Sequence, residues 1–493
     1  MILDKIVAAT KKRVQEAKTK LPLSELKQQV EKMSITKNFP FEQALQELDF
    51  NFICEVKKAS PSKGIIAEHF PYLDIAKHYE MAGAAAISVL TEPDFFLGSP
   101  QYLQEIAKAV QIPVLRKDFI IDEYQIYEAK LWGASAILLI AAILDDDTMR
   151  RFHKLADSLG LSCLVEAHDE TEVLRAVHIG ARIIGVNNRN LKDFTVDVNN
   201  SIHLRNLVDD SVIFVSESGL DTTEDIQCLR DNKIHAALMG ESFMKSTDKV
   251  AKLAELYGPI KNQPKVKFCG ISQTDTVPTI IETAPDYVGF VFAPSKRQVT
   301  KEQAHFIAHS LQNTVEDMNN NMRISQDMHN NTLISPAGVF VNETISDIVE
   351  IAKTVPLSVI QLHGDEDLEY IESLRNQLEE EQLAAVQIWK AVQVQTKEDV
   401  MQWERAPIDG LVVDAYSKTT RGGTGRTIDW SLLEGVQIPY YLAGGIGLHN
   451  VARAIRRLQP YGLDMSSSLE TNGQKDEKKM RTMAHIIRTV TNR

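Results

Sequence analysis

Sixteen short apolar runs, separated by helix-patterned segments, constrain the fold of this 493-residue chain more than any other feature. The first eight are NFICEVK (51–57), AAAISVL (84–90), IPVLRK (112–117), SAILLIA (135–141), LSCLVEA (161–167), RIIGVNN (182–188), SVIFVSES (211–218) and HAALMG (235–240). Segments between them, such as YLDIAKHYEMAG (72–83) and DETEVLRAVHIG (169–180), end in glycine, as helices with a left-handed C-cap do. Eight strands alternating with helices predict a (β/α)8 barrel. The pattern then restarts with PKVKFCG (264–270), DYVGFVF (286–292), AGVFVN (337–342) and SVIQLHG (358–364). It finishes with VQIWKAV (386–392), DGLVVDA (409–415), IPYYLAGG (438–445) and GLDMSSS (462–468).

The expected fold class is therefore α/β, two tandem (β/α)8 barrels of the TIM type. A doubly wound sheet is the rival, disfavoured by eight strands in each half. The first barrel is assigned to residues 1–257, preceded within that span by a helical extension at 1–48. Gly258, Pro259 and Pro264 mark a linker at 258–264, and the second barrel occupies 265–493. The Asn-, Gln- and Met-rich stretch 311–335 breaks the repeat and reads as a surface insertion, an extended helix end or a disordered loop.

Composition narrows the function. Hydrophobic residues are 44% and charged residues 25%, and the net charge of −13 comes without a basic cluster. Nucleic acid and anionic membrane are disfavoured as partners, so a phosphorylated ligand must be held locally. Cys54, Cys163, Cys228 and Cys269 form no C-x-x-C pair and lie far apart, which argues against a zinc knuckle or a disulfide framework and fits a reducing compartment. The first twenty residues read as an amphipathic helix rather than a signal peptide. The apolar run ASAILLIAAIL (134–144) is shorter than the roughly 20 residues that span a bilayer. A cytoplasmic protein is expected.

Polar side chains gather where the strands end. Glu55 and Lys57 share the strand face opposite Phe52, Cys54 and Val56, because side chains two apart point the same way. Lys117, Glu166, Asn187 and Glu217 close the third, fifth, sixth and seventh strands. Together they would converge on the C-terminal mouth of a barrel. The turns SESGL (216–220) and MGESFM (239–244) follow strands seven and eight, where barrels bind phosphate with backbone N–H groups. LAGGIG (442–447) and DMSSSLE (464–470) repeat this in the second half. There Cys269, on the face of Lys267, and Asp414 end strands across the barrel from one another and make a candidate base and acid. His363 reads equally well as a ligand contact or a core histidine.

These residues carry a family resemblance. EVKKASPSKG (55–64), LRKDF (115–119), LVEAH (164–168), GVNNRNL (185–191) and SESGL resemble indole-3-glycerol-phosphate synthase. KFCGI (267–271), GFVFAPSKRQV (289–299), IQLHGDE (360–366), VVDA (412–415), GGTGRTIDW (422–430) and LAGGI (442–446) resemble phosphoribosylanthranilate isomerase. The resemblance spans nearly the whole chain and implies a fusion of two consecutive steps of tryptophan biosynthesis. It implies Asp414 as the acid that opens a furanose and Cys269 as the base at C2 of an Amadori rearrangement. An ordinary thiol is mostly protonated at neutral pH, so a site that lowers the Cys269 pKa is expected, helped by Lys267 if its side chain reaches back. Arg297 would hold the anthranilate carboxylate, and Gly444, Gly445, Asp464, Ser466 and Ser467 the phosphate. Ser468 stands where isomerases of this type have glycine.

For the synthase half the resemblance implies Lys117 as the choice of acid for ring closure, and Glu166 with the Lys57/Lys117 pair for the dehydration. The division of steps between the two lysines stays open, with Glu55 positioning or discharging Lys57. Asn187, Glu217 and Ser218 would orient the ligand, with Ser60 a loop contact and Phe96 and Phe119 an apolar wall. Arg189 would support the loop after the sixth strand, and Gly219, Gly240 and Ser242 would join the phosphate turns. Small phosphorylated substrates, no cofactor and a monomer are expected. Two rivals stand beside this reading: a pair of other phosphosugar isomerases, and a tandem barrel that binds phosphometabolites without turnover.

Overall fold

A computed structural model describes residues 2–190, 195–322, 334–415 and 429–492, of which 314–322 and 415 are described by backbone alone. The chain divides into two compact units, Met1–Pro259 and Ile260–Arg493. Each holds one closed, all-parallel eight-stranded barrel whose strands are neighbours in chain order.

The first barrel runs β1 (Asn51–Val56), β2 (Ala86–Leu90), β3 (Val114–Lys117), β4 (Ala136–Ile140), β5 (Ser162–Ala167), β6 (Ile183–Asn187), β7 (Ile213–Glu217) and β8 (Ala236–Met239). It closes through the β1–β8 register Cys54↔Met239. The apolar runs are continuous because both faces are buried, one by the interior and one by helices. Phe52 packs edge-on against Tyr257 and Phe243 of the outer helices. Ile53, on the other face, joins Leu115, Leu164, Ile183 and Val215 inside. The N-terminal extension forms helices Ile2–Lys20, Leu23–Glu31 and Pro40–Ala44. Phe41 and Leu45, in and just after the third of them, belong to the interior cluster and are fully buried.

The second barrel runs β9 (Lys265–Cys269), β10 (Tyr287–Val291), β11 (Ser335–Phe340), β12 (Val359–Leu362), β13 (Gln387–Val394), β14 (Gly410–Ala415), β15 (Tyr440–Leu442) and β16 (Gly462–Met465). Lys267↔Asp464 is part of the closing β9–β16 register. Here aromatic rings from the strands fill the interior. Trp389 stacks on Tyr441 with centroids 3.9 Å apart, and Tyr287 packs edge-on against Trp389 at 5.0 Å. A Cβ on Gly462 would come within 2.3 Å of the Tyr441 ring, so glycine makes room for it. The polar insertion begins as the continuation of helix Lys301–Met322, and its remainder at 323–333 lies outside the described residues. No helix among the described residues is long and apolar enough to cross a membrane.

Candidate active sites

Alternation along β1 sends Glu55 and Lys57 to the face opposite Cys54, and both line a cavity of about 660 Å³ in the first unit. Every synthase-type candidate named above lines it: Lys117, Glu166, Asn187 and Glu217 from the strand ends, Ser60, Phe96, Phe119 and Arg189 from loops, and Ser218, Gly219, Gly240 and Ser242 from the last two turns. Ile2, Leu3 and Ile6 of the N-terminal helix add an apolar edge.

Lys117 stands between two carboxylates, 2.7 Å from Glu166 Oε2 and 2.8 Å from Glu217 Oε2. Burial opposes its charge, but Glu166, Glu217 and Glu55 outweigh that and raise its pKa well above the ordinary lysine value. The two carboxyls are driven apart. Burial works against ionising Glu166 too, yet Lys117 and His168 prevail and lower its pKa. Glu217 goes the other way: burial, aided by the charge of Glu166, raises its pKa despite Lys117. Glu217 Oε1 is buried with no hydrogen bond among the described residues, and a Cβ on Gly185 would come within 2.3 Å of it. Lys57 pairs with Glu55 at 2.5 Å, and Ser88 donates to the second oxygen of Glu55 at 3.4 Å. A Cβ on Gly240, the residue after β8, would stand 2.7 Å from Glu55 Oε1 and 3.2 Å from Lys57 Nζ, so a glycine there leaves the pair its room.

The loops are braced from behind. The buried Asn188 donates at 3.0 Å to Ser216 Oγ and to the carbonyl of Ser218, which has φ +69°. Gly219 follows at φ +80°, and a Cβ there would strike Val196. Glu92 accepts the backbone N–H groups of Phe95 and Phe96 at 2.7 and 3.1 Å, and Arg13 of the N-terminal helix meets it at 2.9 Å. This sets Phe96 against Phe119, with ring centroids 6.0 Å apart.

In the second unit Cys269 ends β9, and Lys267 does reach back: its Nζ lies 3.5 Å from Cys269 Sγ. The same ammonium donates to Asp464 Oδ2 at 2.9 Å and to Gln361 Oε1. Its three N–H groups thus meet three acceptors. The expectation of a lowered thiol pKa is corrected: burial raises the Cys269 pKa, and the opposing pull of Lys267, already balanced by Asp464, is too weak to reverse it. Gly289 opens the space, since a Cβ there would lie 2.7 Å from Cys269 Sγ. Asp414 is buried near the end of β14. Gln361 Nε2 is 3.1 Å from His363 Nδ1, and burial lowers the His363 pKa to about 4, so its imidazole is neutral.

Arg297 is not open-handed. Its Nε and Nη2 donate to the two oxygens of Glu470 at 2.6 and 3.0 Å. Lys475 joins the same carboxylate at 2.9 Å and donates to the carbonyl of Ser466 at 3.0 Å. Burial disfavours the charge on Glu470, but Arg297 and Lys475 hold its pKa at about 2. Gly444 and Gly445 follow β15 with φ of +50° and +73°. Ser466 precedes the short 3-10 turn Ser467–Leu469, and Ser468 is absent from the left-handed region, so its side chain costs no backbone strain. Of GGTGRTIDW, residues 422–428 lie outside the described residues.

The comparisons with known proteins follow this division. The family described as indole-3-glycerol phosphate synthase matches residues 3–256, and that of N-(5'phosphoribosyl)anthranilate (PRA) isomerase matches 266–485. The indole-3-glycerol phosphate synthase of Ruminiclostridium cellulolyticum is 59% identical over 258 residues, 52% of this chain and 99% of that protein. The tryptophan biosynthesis protein TrpCF of Haemophilus influenzae is 36% identical over 502 residues, 99% of this chain and 97% of that protein. The chain belongs to the bifunctional synthase–isomerase family of tryptophan biosynthesis. A solved phosphoribosylanthranilate isomerase from Thermotoga maritima shares 27% identity, with a TM-score of 0.37, over 47% of this chain and all of that one. By the family matches, the first unit holds the synthase barrel and the second the isomerase barrel.

Reading the sequence left out Asn188, Glu92 and His168 in the synthase barrel, and Gln361, Glu470 and Lys475 in the isomerase barrel. Gln361 had a signal, since it shares a strand face with His363 two positions on. Lys475 had none: it arrives through the small hairpin Glu470–Thr471/Gln474–Lys475, which has no counterpart in the repeat.

Proposed function

We propose that the two barrels act in the order isomerase, then synthase, on one phosphorylated intermediate, with the following residue roles. In the isomerase barrel Asp414 gives a proton to the ring oxygen of N-(5-phosphoribosyl)anthranilate, and the C1–O bond opens to a Schiff base. The Cys269 thiolate takes the proton from C2. The enolamine so formed becomes 1-(2-carboxyphenylamino)-1-deoxyribulose 5-phosphate. Arg297 holds the substrate carboxylate with the N–H groups left over from Glu470, and Gly444, Gly445, Asp464, Ser466 and Ser467 form or support the phosphate cradle.

In the synthase barrel Lys117 gives a proton to the C2 ketone oxygen while the ring carbon bearing the carboxylate attacks C2. Carbon dioxide leaves, its bonding electrons restoring the aromatic ring. Glu166, Lys57 and Lys117 then remove water to give indole-3-glycerol phosphate. Glu55 sets Lys57, Asn187, Glu217 and Ser218 orient hydroxyls, and Phe96 and Phe119 flank the aromatic ring. Gly219, Gly240 and Ser242 receive the phosphate, Ser60 makes a loop contact, and Arg189 supports the loop after β6. These steps transfer protons and rearrange carbon bonds, and call on no redox cofactor. The chain is proposed to work as a monomer, which light scattering tests.

The observation that carries this reading is Lys117 held between Glu166 and Glu217, an acid already set among proton acceptors. Lys117→Met should reduce synthase turnover at least about 100-fold and leave isomerase turnover intact, in line with the size of acid–base contributions. Equal loss of both activities would count against the assignment.

A further inference from the structure

His168 lies just past β5, and the proposed chemistry leaves it unused although it stands beside Glu166. Its imidazole is wedged between two carboxylates. Nδ1 is 3.0 Å from Glu172 Oε2, and the same oxygen accepts the His168 backbone N–H at 2.9 Å. Nε2 is buried, makes no hydrogen bond among the described residues, and lies 3.4 Å from Glu166 Oε1. A carboxylate only accepts, so the contact with Glu172 requires a proton on Nδ1. A neutral ring would then turn the Nε2 lone pair toward the oxygen of Glu166. Only the imidazolium, protonated at both nitrogens, turns a proton toward both carboxylates.

The groups around the ring favour that form. Glu166 faces it from β5, Glu172 from helix Glu170–His178, and Glu217 acts from β7, while Lys117 stands beyond Glu166 as the opposing cation. Burial disfavours the charge, but the hydrogen bond to Glu172 and the three carboxylates outweigh it and raise the His168 pKa. Glu166 already receives Asn187 on Oε1 at 3.2 Å and Lys117 on Oε2.

We propose that His168 is a positioning residue of the synthase reaction: braced by Glu172, its imidazolium keeps Glu166 ionised and turned toward Lys117, so that Glu166 enters the reaction as a base. This rests on the role given to Glu166.

The test is the pH dependence of synthase kcat in the full chain, with isomerase turnover as the internal measure of intact protein. His168→Gln removes the cation but keeps a donor. Losing a nearby positive charge raises a carboxyl pKa, so the acidic limb should move to higher pH by about one unit. Turnover below the limb should fall about tenfold and recover as pH rises. Glu172→Gln weakens the hold on the ring proton and should move the limb the same way by less; it decides the matter alone if His168→Gln does not fold. An acidic limb that stays in place in both variants, however slow they are, overturns the proposal. Glu166→Gln separates the two claims: retained synthase activity there would remove the reading of Glu166 itself.

Discussion

Lys267 shows how burial can outweigh a neighbouring charge. It places a cation 3.5 Å from the Cys269 thiol, but it also serves Asp464, and burial has the larger effect on the thiol. The sign follows directly. A base whose pKa is raised is mostly protonated below that pKa, so isomerase kcat/KM should climb with pH through neutrality and beyond. Lys267→Met removes the cation 3.5 Å from the sulfur and should move that limb further alkaline. Each unit of displacement costs about tenfold in activity at pH 7. His363, neutral with a pKa of about 4, should add no limb between pH 5 and 8. A pH–rate profile of wild type and Lys267→Met checks all three, and an unshifted limb in the variant would count against the thiolate role.

At the scale of strands and loops, function depends on where side chains are absent as much as on where they are present. Gly289→Ala would press a methyl group into Cys269 Sγ and Cα, and is expected to lower isomerase kcat more than tenfold while the synthase rate holds. Glu366 offers a stability test. It pairs with Lys390 at 2.7 Å, both nearly fully buried, and accepts the backbone N–H groups of Asn342 and Gly364 at 2.7 and 2.9 Å. Glu366→Gln leaves the lysine charge uncompensated and should destabilise the isomerase barrel by about 3 kcal/mol, the scale for breaking a buried pair. Thermal or urea unfolding would measure it.

The same scale explains what could be read in advance. All sixteen strands were legible because each is a short apolar run bounded by polar turns, and strand-end polarity pointed to Glu55, Lys57, Lys117, Glu166, Cys269 and Asp414. The braces behind the site were not. Asn188 lies next to Asn187, and its position gave no hint that its amide would hold the Ser218 turn. Glu92 and Lys475 act through loops whose course a strand-and-helix repeat does not specify. The raised Cys269 pKa was missed because the lysine two positions back was visible in the sequence, whereas the burial that outweighs it, and Asp464, 197 residues away, were not.

Over the whole molecule, each unit has its own barrel, its own interior and its own set of strand-end groups. The two activities should therefore separate by single substitutions. Cys269→Ser should stop phosphoribosylanthranilate from reacting yet leave conversion of the carboxyphenylamino-deoxyribulose phosphate at its wild-type rate. The measurement that tests the central claim most directly uses the unmodified chain and fresh phosphoribosylanthranilate, with no added cofactor or metal. Substrate fluorescence, the ketone intermediate and indole-3-glycerol phosphate are followed together. The account predicts loss of substrate, a transient ketone and accumulation of indole-3-glycerol phosphate. Arrest at the ketone would contradict the synthase roles of Lys117 and Glu166, and untouched substrate would contradict those of Cys269 and Asp414.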